Sequence, residues 1–131
     1  MSLRPEEFQF VEDPRRFEIA GALQVRIGRR ILRKRQLLNA CARGLEFPDH
    51  FGHNWDAFEE CLCDLSWLAD RAQVVLLHDT LPLPHSPRSR RIYLEILAEA
   101  VRRHATGDPP ELVVVFPESI RAQVLLSLPE E

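Results

Sequence analysis

Gln73-Val74-Val75-Leu76-Leu77-His78 contains four consecutive apolar side chains with no polar alternation among them. A run this short and this apolar is the pattern of a strand covered on both faces, as in the middle of a parallel sheet. The residues after His78 agree with a strand that ends there. Pro82, Pro84 and Pro87 confine the next stretch to loop, and Ser86-Pro87 is a helix start: a hydroxyl at the N-cap and a proline at the first helical position. From there to about His104, Ile92, Tyr93, Ile96, Leu97, Ala100 and Val101 recur at helical spacing and form one apolar stripe. A second short apolar run, 112–116, comes next. Strand, helix and strand in this order make a crossover unit with parallel strands.

Upstream the alternation repeats. Ala22-Leu23-Gln24-Val25-Arg26-Ile27 is rich in β-formers and stops at Gly28. Over 33–43, Leu37, Leu38 and Cys41 lie at helical spacing, and Gly44 stands where a helix C-cap favours glycine. Phe47-Pro48 breaks the pattern, and 49–53 (Asp-His-Phe-Gly-His) reads as a loop in which Gly52 supplies backbone freedom. Asn54 is then a good N-cap for a helix whose Trp55, Phe58, Cys61, Leu62 and Leu65 share one face, while Asp56, Glu59, Glu60 and Cys63 project from the other, with Asp64 at its margin. The expected fold is α/β: a three-stranded parallel sheet flanked by helices, in one domain spanning 1–131 with its core at about 21–117. Residues 1–21, with the alternating Phe8-Gln9-Phe10-Val11, and 117–131, with Val124-Leu125-Leu126, read as extensions decorating that core.

Composition bounds the function classes. The chain has 131 residues, 45% apolar and 28% charged, the balance of an ordinary globular domain. No apolar run approaches the roughly 20 residues that a membrane helix requires, and Arg4-Pro5-Glu6-Glu7 lacks the apolar centre of a signal peptide. The expectation is a cytoplasmic protein with no membrane contact. Three cysteines, Cys41, Cys61 and Cys63, are an odd number and read as reduced thiols. Net charge is only −3, yet 45–70 holds seven acids (Glu46, Asp49, Asp56, Glu59, Glu60, Asp64, Asp70) without a lysine or arginine, which leaves the remainder of the chain at +4. A field polarised in this way steers a basic partner. The bland alternative is a solvated helix face.

The stretch Leu45-Glu46-Phe47-Pro48-Asp49-His50-Phe51-Gly52-His53-Asn54-Trp55-Asp56-Ala57-Phe58-Glu59-Glu60-Cys61-Leu62 resembles the signature of the barstar family. An apolar residue and proline, paired aromatics, glycine, asparagine, Asp-Ala and a second acid four residues later make a far more specific pattern than a lone glycine motif. Elsewhere the order of elements is similar over roughly 21–117. The resemblance implies an inhibitor of ribonucleases rather than an enzyme, with no cofactor and no metal, which plugs the basic active site of its target. Carried over by position, the loop aromatic that enters the nuclease cleft corresponds to His50 and the next aromatic to Phe51. The helix carboxylates correspond to Asp56 and Glu60. Asn54 lies in the same contact region, and Glu59 occupies a position on the contacting face. His at the first aromatic position and Glu at the second acidic one depart from barstar itself, which bears on which nuclease, or nuclease of another type, is the target. Glu99 on the last long helix is a further acid of the kind such a site uses, but the loop after it does not align.

Charge mimicry is the physical logic of such a site. A ribonuclease holds phosphate with Lys, Arg or His, and carboxylates occupy the same positive pocket. Asp56 and Glu60 stand one helical turn apart, where like charges cost a helix about 0.2–0.5 kcal/mol, offset in part for Asp56 by the helix N-terminus. Competing chemistries are weaker. His50, His53, Asp56, Glu60 and Cys61 have a metal-like mix, but Cys61 falls on the core face. Paired carboxylates acting as acid and base need a cleft rather than a convex face. No phosphate-binding glycine loop or nucleophile elbow is present. Two basic runs, the first of Arg29, Arg30, Arg33, Lys34 and Arg35 and the second of Arg88, Arg90 and Arg91, suit a solvated surface or a second protein contact better than direct contact with nucleic acid, given the negative total. Trp67, Tyr93, Cys41 and Cys61 read as core.

Overall fold

The computed structural model describes residues 7–128. Arg4-Pro5-Glu6 and the last three residues of the C-terminal extension lie outside the described residues. Four strands, β1 (Gln9–Val11), β2 (Leu23–Ile27), β3 (Gln73–His78) and β4 (Glu111–Pro117), form one sheet in the order β1-β4-β3-β2. Every pairing is parallel, with Phe10 opposite Phe116, Leu76 opposite Val114 and Val25 opposite Leu76. The expected three-stranded sheet is therefore corrected to four. The added strand is the alternating N-terminal run, held to β4 by its aromatics: the Phe8 ring stands edge-on to Phe116 at 5.3 Å, and Phe10 stacks on Phe116 at 6.1 Å. Three residues of strand carry too little periodicity to show which edge they will join.

Connection handedness decides how the layers form. The steps β2 to β3 and β3 to β4 move in the same direction across the sheet, so right-handed crossovers put their helices on one face. These are α1 (Lys34–Gly44), α2 (Trp55–Asp64) and α3 (Pro87–Arg103), joined by the short α4 (Arg121–Leu126) after β4. Leu37, Leu38, Cys41, Phe58, Leu62 and Leu97 are fully buried there against Val74, Leu76, Val114 and Phe116. The step β1 to β2 runs back the other way over two strands, so its connection falls on the opposite face. There Phe17, Ile19 and Ala22 cover Val75, Leu77, Val113 and Val115. The N-terminal extension is thus the second layer over β3 and β4, and it accounts for the unbroken apolar runs of both strands.

His78, at the end of β3, is buried with no exposed surface. Its Nδ1–H donates to the Val115 carbonyl at 3.0 Å. That fixes the tautomer, so Nε2 accepts from the Tyr93 hydroxyl at 2.7 Å. The fully buried Cys41 thiol lies beside Tyr93. Desolvation pushes the imidazole down to about 4, against a smaller opposing effect of the Val115 hydrogen bond. The same burial takes the Cys41 thiol up to about 12.

Helix boundaries agree with those expected from spacing to within a residue or two, but Gly44 serves another purpose than expected. It is the last residue of α1, and the left-handed residue beyond the cap is Glu46, at φ 57°. A Cβ at position 44 would lie 2.6 and 2.8 Å from the two γ-methyls of Val25, which the sheet holds in place. Gly44→Ala is therefore expected to destabilise the protein. Overpacking of this kind costs about 1–3 kcal/mol, which outweighs a helix-propensity gain of about 0.5–1 kcal/mol. Urea unfolding checks it: Val25→Ala in the same chain should recover the loss, and a Gly44→Ala variant as stable as the parent would refute the contact.

Candidate functional site

The acidic face begins with a well-defined turn. Asn54 Oδ1 accepts from the Ala57 N–H at 2.8 Å, closing the first turn of α2, and its Nδ2 donates to the Gly52 carbonyl at 3.2 Å. Asp56 lies in that first turn, where the exposed N–H groups favour a carboxylate. Phe58 and Leu62 hold the inner side of the helix. Leu65, expected within the helix, instead caps it in the left-handed conformation at φ 48°, still fully buried. Trp55 and Cys61 are only half-buried, so Cys61 belongs to the margin of the core and not to its interior. Asp56, Glu59, Glu60 and Asp64 are exposed along the outer side, and Cys63 is half-buried beside them.

The loop before α2 is stiffened from beneath. The Phe51 N–H donates to the Pro48 carbonyl at 2.9 Å, and the Phe51 ring meets Phe47 edge-on at 5.0 Å. Trp67 packs on Phe47 at 6.1 Å and donates its Nε1–H to the Leu45 carbonyl at 2.8 Å. Phe51, expected on the contact face, is only 8% exposed and anchors the loop from inside. The residue in the left-handed region is His53, at φ 50°, and not Gly52. His50 and Asn54 are exposed, so the structure brings His50, Asn54, Asp56, Glu59 and Glu60 to the surface of one loop and helix, with Phe51 below them.

Among the described residues, Asp56 and Glu60 take part in no ion pair and no side-chain hydrogen bond. Glu59 differs, because it lies within reach of the field of Arg103 on α3, whose guanidinium is held above its ordinary value first by Glu99 and more weakly by Glu59. Glu99 itself is engaged by Arg102 at 2.7 Å and by Arg103 at 2.9 Å, and these bonds hold its carboxyl low. That makes it part of the α3 surface rather than a free acid. Lys34 of α1 sits 5.2 Å over the Trp55 ring, bringing a cation beside the acidic face. Nothing in the local spacing announces this, since it depends on how α1 packs beside α2.

The other candidate chemistries fare differently. All three cysteines are free. The Cys61 thiol is pushed up by burial and then by Glu60 and Asp64, and the Cys63 thiol by burial, so the reactive thiolate is disfavoured at both. Among the described residues no group of three or more His, Cys, Asp or Glu side chains is placed to hold a metal ion, and no helix is long and apolar enough to cross a membrane. In the second basic run Arg90 has a structural task, donating to the Pro82 and Leu83 carbonyls at 3.0 and 3.3 Å, and Arg91 pairs with Glu95 at 3.1 Å.

Comparison with known proteins adds the family. Neither the curated proteins nor the solved structures gave a match. The family model described as Barstar (barnase inhibitor) matches residues 23–116, a span that starts at β2, includes the loop and α2, and ends in β4. With the parallel strands, the capped acidic helix and this match in agreement, the chain belongs to the Barstar (barnase inhibitor) family.

Proposed function

We propose that this protein is a cytoplasmic inhibitor of a ribonuclease, which it blocks by seating Asp56 and Glu60 in the basic active site, with His50, Asn54 and Glu59 around them. The observation that supports this best is the pair of exposed carboxylates one turn apart on the family's helix, neither of them engaged by a cation among the described residues. Phe51 contributes by holding the loop beneath His50. Carboxylates at that spacing present charge where a nuclease expects phosphate, and desolvating them against Lys, Arg or His yields strong, charge-assisted hydrogen bonds.

The test is a pull-down from native cell extract with wild-type protein beside the Asp56→Ala, Glu60→Ala double variant. A ribonuclease captured only by wild type, and inhibited by it in an RNA-cleavage assay, supports the proposal. A partner with no nuclease activity overturns the ribonuclease reading. Charge also sets the kinetics. The −7 carried by 45–70 is expected to steer encounter, so association should slow by tenfold or more as salt rises from about 0.01 to 0.5 M, while dissociation changes much less. Stopped-flow mixing with the captured nuclease measures both rates, and an association rate indifferent to salt would count against steering.

A further inference from the structure

We propose that the cleft outside the carboxyl ends of the four strands is a binding site for the phosphate group of a small molecule, a phosphate monoester of nucleotide size. In open α/β sheets ligands bind outside the carboxyl ends of the strands, where the chain leaves two neighbouring strands toward opposite faces. β1 and β4 are such neighbours. After Val11 the chain passes to the face covered by Phe17 and Ile19, and after Pro117 it passes to the helix face, where Ile120, Val124 and Leu128 join the main core. The cleft at that point has a volume of about 460 Å³, within the range of small-ligand sites. Six of its nine lining residues lie outside the span 23–116 shared with the family, so the two extensions build it upon the family core.

Its arginines and acids balance in number, three of each, so affinity for an anion rests on the guanidinium donors that the acids leave free. Arg15, Arg26 and Arg29 line it together with Ser119. Asp13 receives the Arg15 Nε–H at 3.1 Å and an Nη2–H at 3.4 Å, so that fork is engaged, and Asp79 receives the Arg26 Nε–H at 2.9 Å. The Asp79 carboxylate thus holds Arg26 through Nε alone, which leaves the Nη groups of that guanidinium without an acceptor among the described residues. Arg29 stands in the turn closed by the Ile31 N–H on the Gly28 carbonyl, at 3.2 Å, and makes no hydrogen bond or ion pair among the described residues. Planar guanidinium forks with free donors match phosphate oxygens. Glu12 also lines the cleft, pairs with no arginine among the described residues, and opposes an anion.

Calorimetric titration of the full chain in chloride buffer, with inorganic phosphate and separately with adenosine 5′-monophosphate, tests the site. Saturable binding at one site is expected. Arg29→Gln should weaken it at least about tenfold, Ser119→Glu should abolish it and Glu12→Gln should tighten it, while Arg35→Gln on α1, outside the cleft, should leave it unchanged. Tighter binding of the nucleotide than of phosphate would identify a nucleotide site, and equal binding a site for the phosphate group alone. No saturation by either probe up to concentrations on the order of 10 mM overturns the proposal, as does an Arg35→Gln variant weakened as much as Arg29→Gln. The Asp56→Ala, Glu60→Ala variant should bind phosphate like wild type, so the outcome is independent of the inhibitor reading.

Discussion

Replacing Asp56 and Glu60 by alanine is expected to remove most of the affinity for the target nuclease while leaving the fold intact. Both side chains are exposed on the outer side of α2, opposite Phe58 and Leu62. Exposed substitutions of this kind usually change stability by no more than about 0.5 kcal/mol, and relief of like-charge repulsion works in the favourable direction. Binding is another matter. Truncating one partner of a buried interfacial charge pair costs about 2–5 kcal/mol or more, a range drawn in part from the barnase–barstar pair itself, so each single variant should lose about thirtyfold or more in affinity. The double variant need not show the sum, because both carboxylates answer to the same basic cleft. Calorimetry or surface binding gives the affinities, and thermal unfolding gives the control. Variants that bind like wild type would remove these residues from the site; variants that unfold would show that the helix face has a structural duty.

Acid should begin to weaken the fold just below neutral pH, and by an amount that is large for one residue. The folded value of His78, about 4, lies below the 6.5 of an unperturbed histidine. Between these values the unfolded chain binds a proton that the native state does not, so stability is fully present above pH 6.5 and is lost as pH falls toward 4. The whole difference amounts to about 3 kcal/mol, of which about 2 should be gone by pH 5. Glu99, held low first by Arg102 and then by Arg103, contributes at lower pH, because its stabilisation is lost only as pH falls below the ordinary carboxylate value of 4.5. Urea midpoints at several pH values between 7.5 and 4.5 measure the slope. His78→Phe should flatten it, whatever that variant does to stability at neutral pH. A wild-type midpoint constant from pH 7 to 5 would show that the imidazole accepts its proton without loss, through a rearranged Tyr93 hydroxyl.

Local rules suffice wherever a residue's task is set by its near neighbours. Asn54 caps α2 and Ser86 caps α3 because the bonds they make, to Ala57 and to Ser89, span three residues. Gln73–His78 matches the expected strand to the residue, because unbroken apolarity is a property of the segment itself. The acidic side of α2 follows from helical periodicity in the same way.

The tertiary structure decided what depends on residues far apart in the chain. Phe8-Gln9-Phe10-Val11 alternates as a strand would, but only its pairing with 115–117 makes it the fourth strand, and only the handedness of its return places Phe17 and Ile19 over the second face of the sheet. Phe51 and His50 are both consistent with a loop; packing on Phe47 turns Phe51 inward and leaves His50 at the surface. Gly44 looks like a helix terminator in sequence, whereas its missing Cβ makes room for Val25 on another element. By itself, then, the sequence determined the three long helices, the central strands and which carboxylates face outward, since these follow from spacing along the chain. Which edge the first strand joins, which aromatic is buried and where the arginines of two separate segments meet were left to packing, because those contacts are chosen by geometry that no local period encodes.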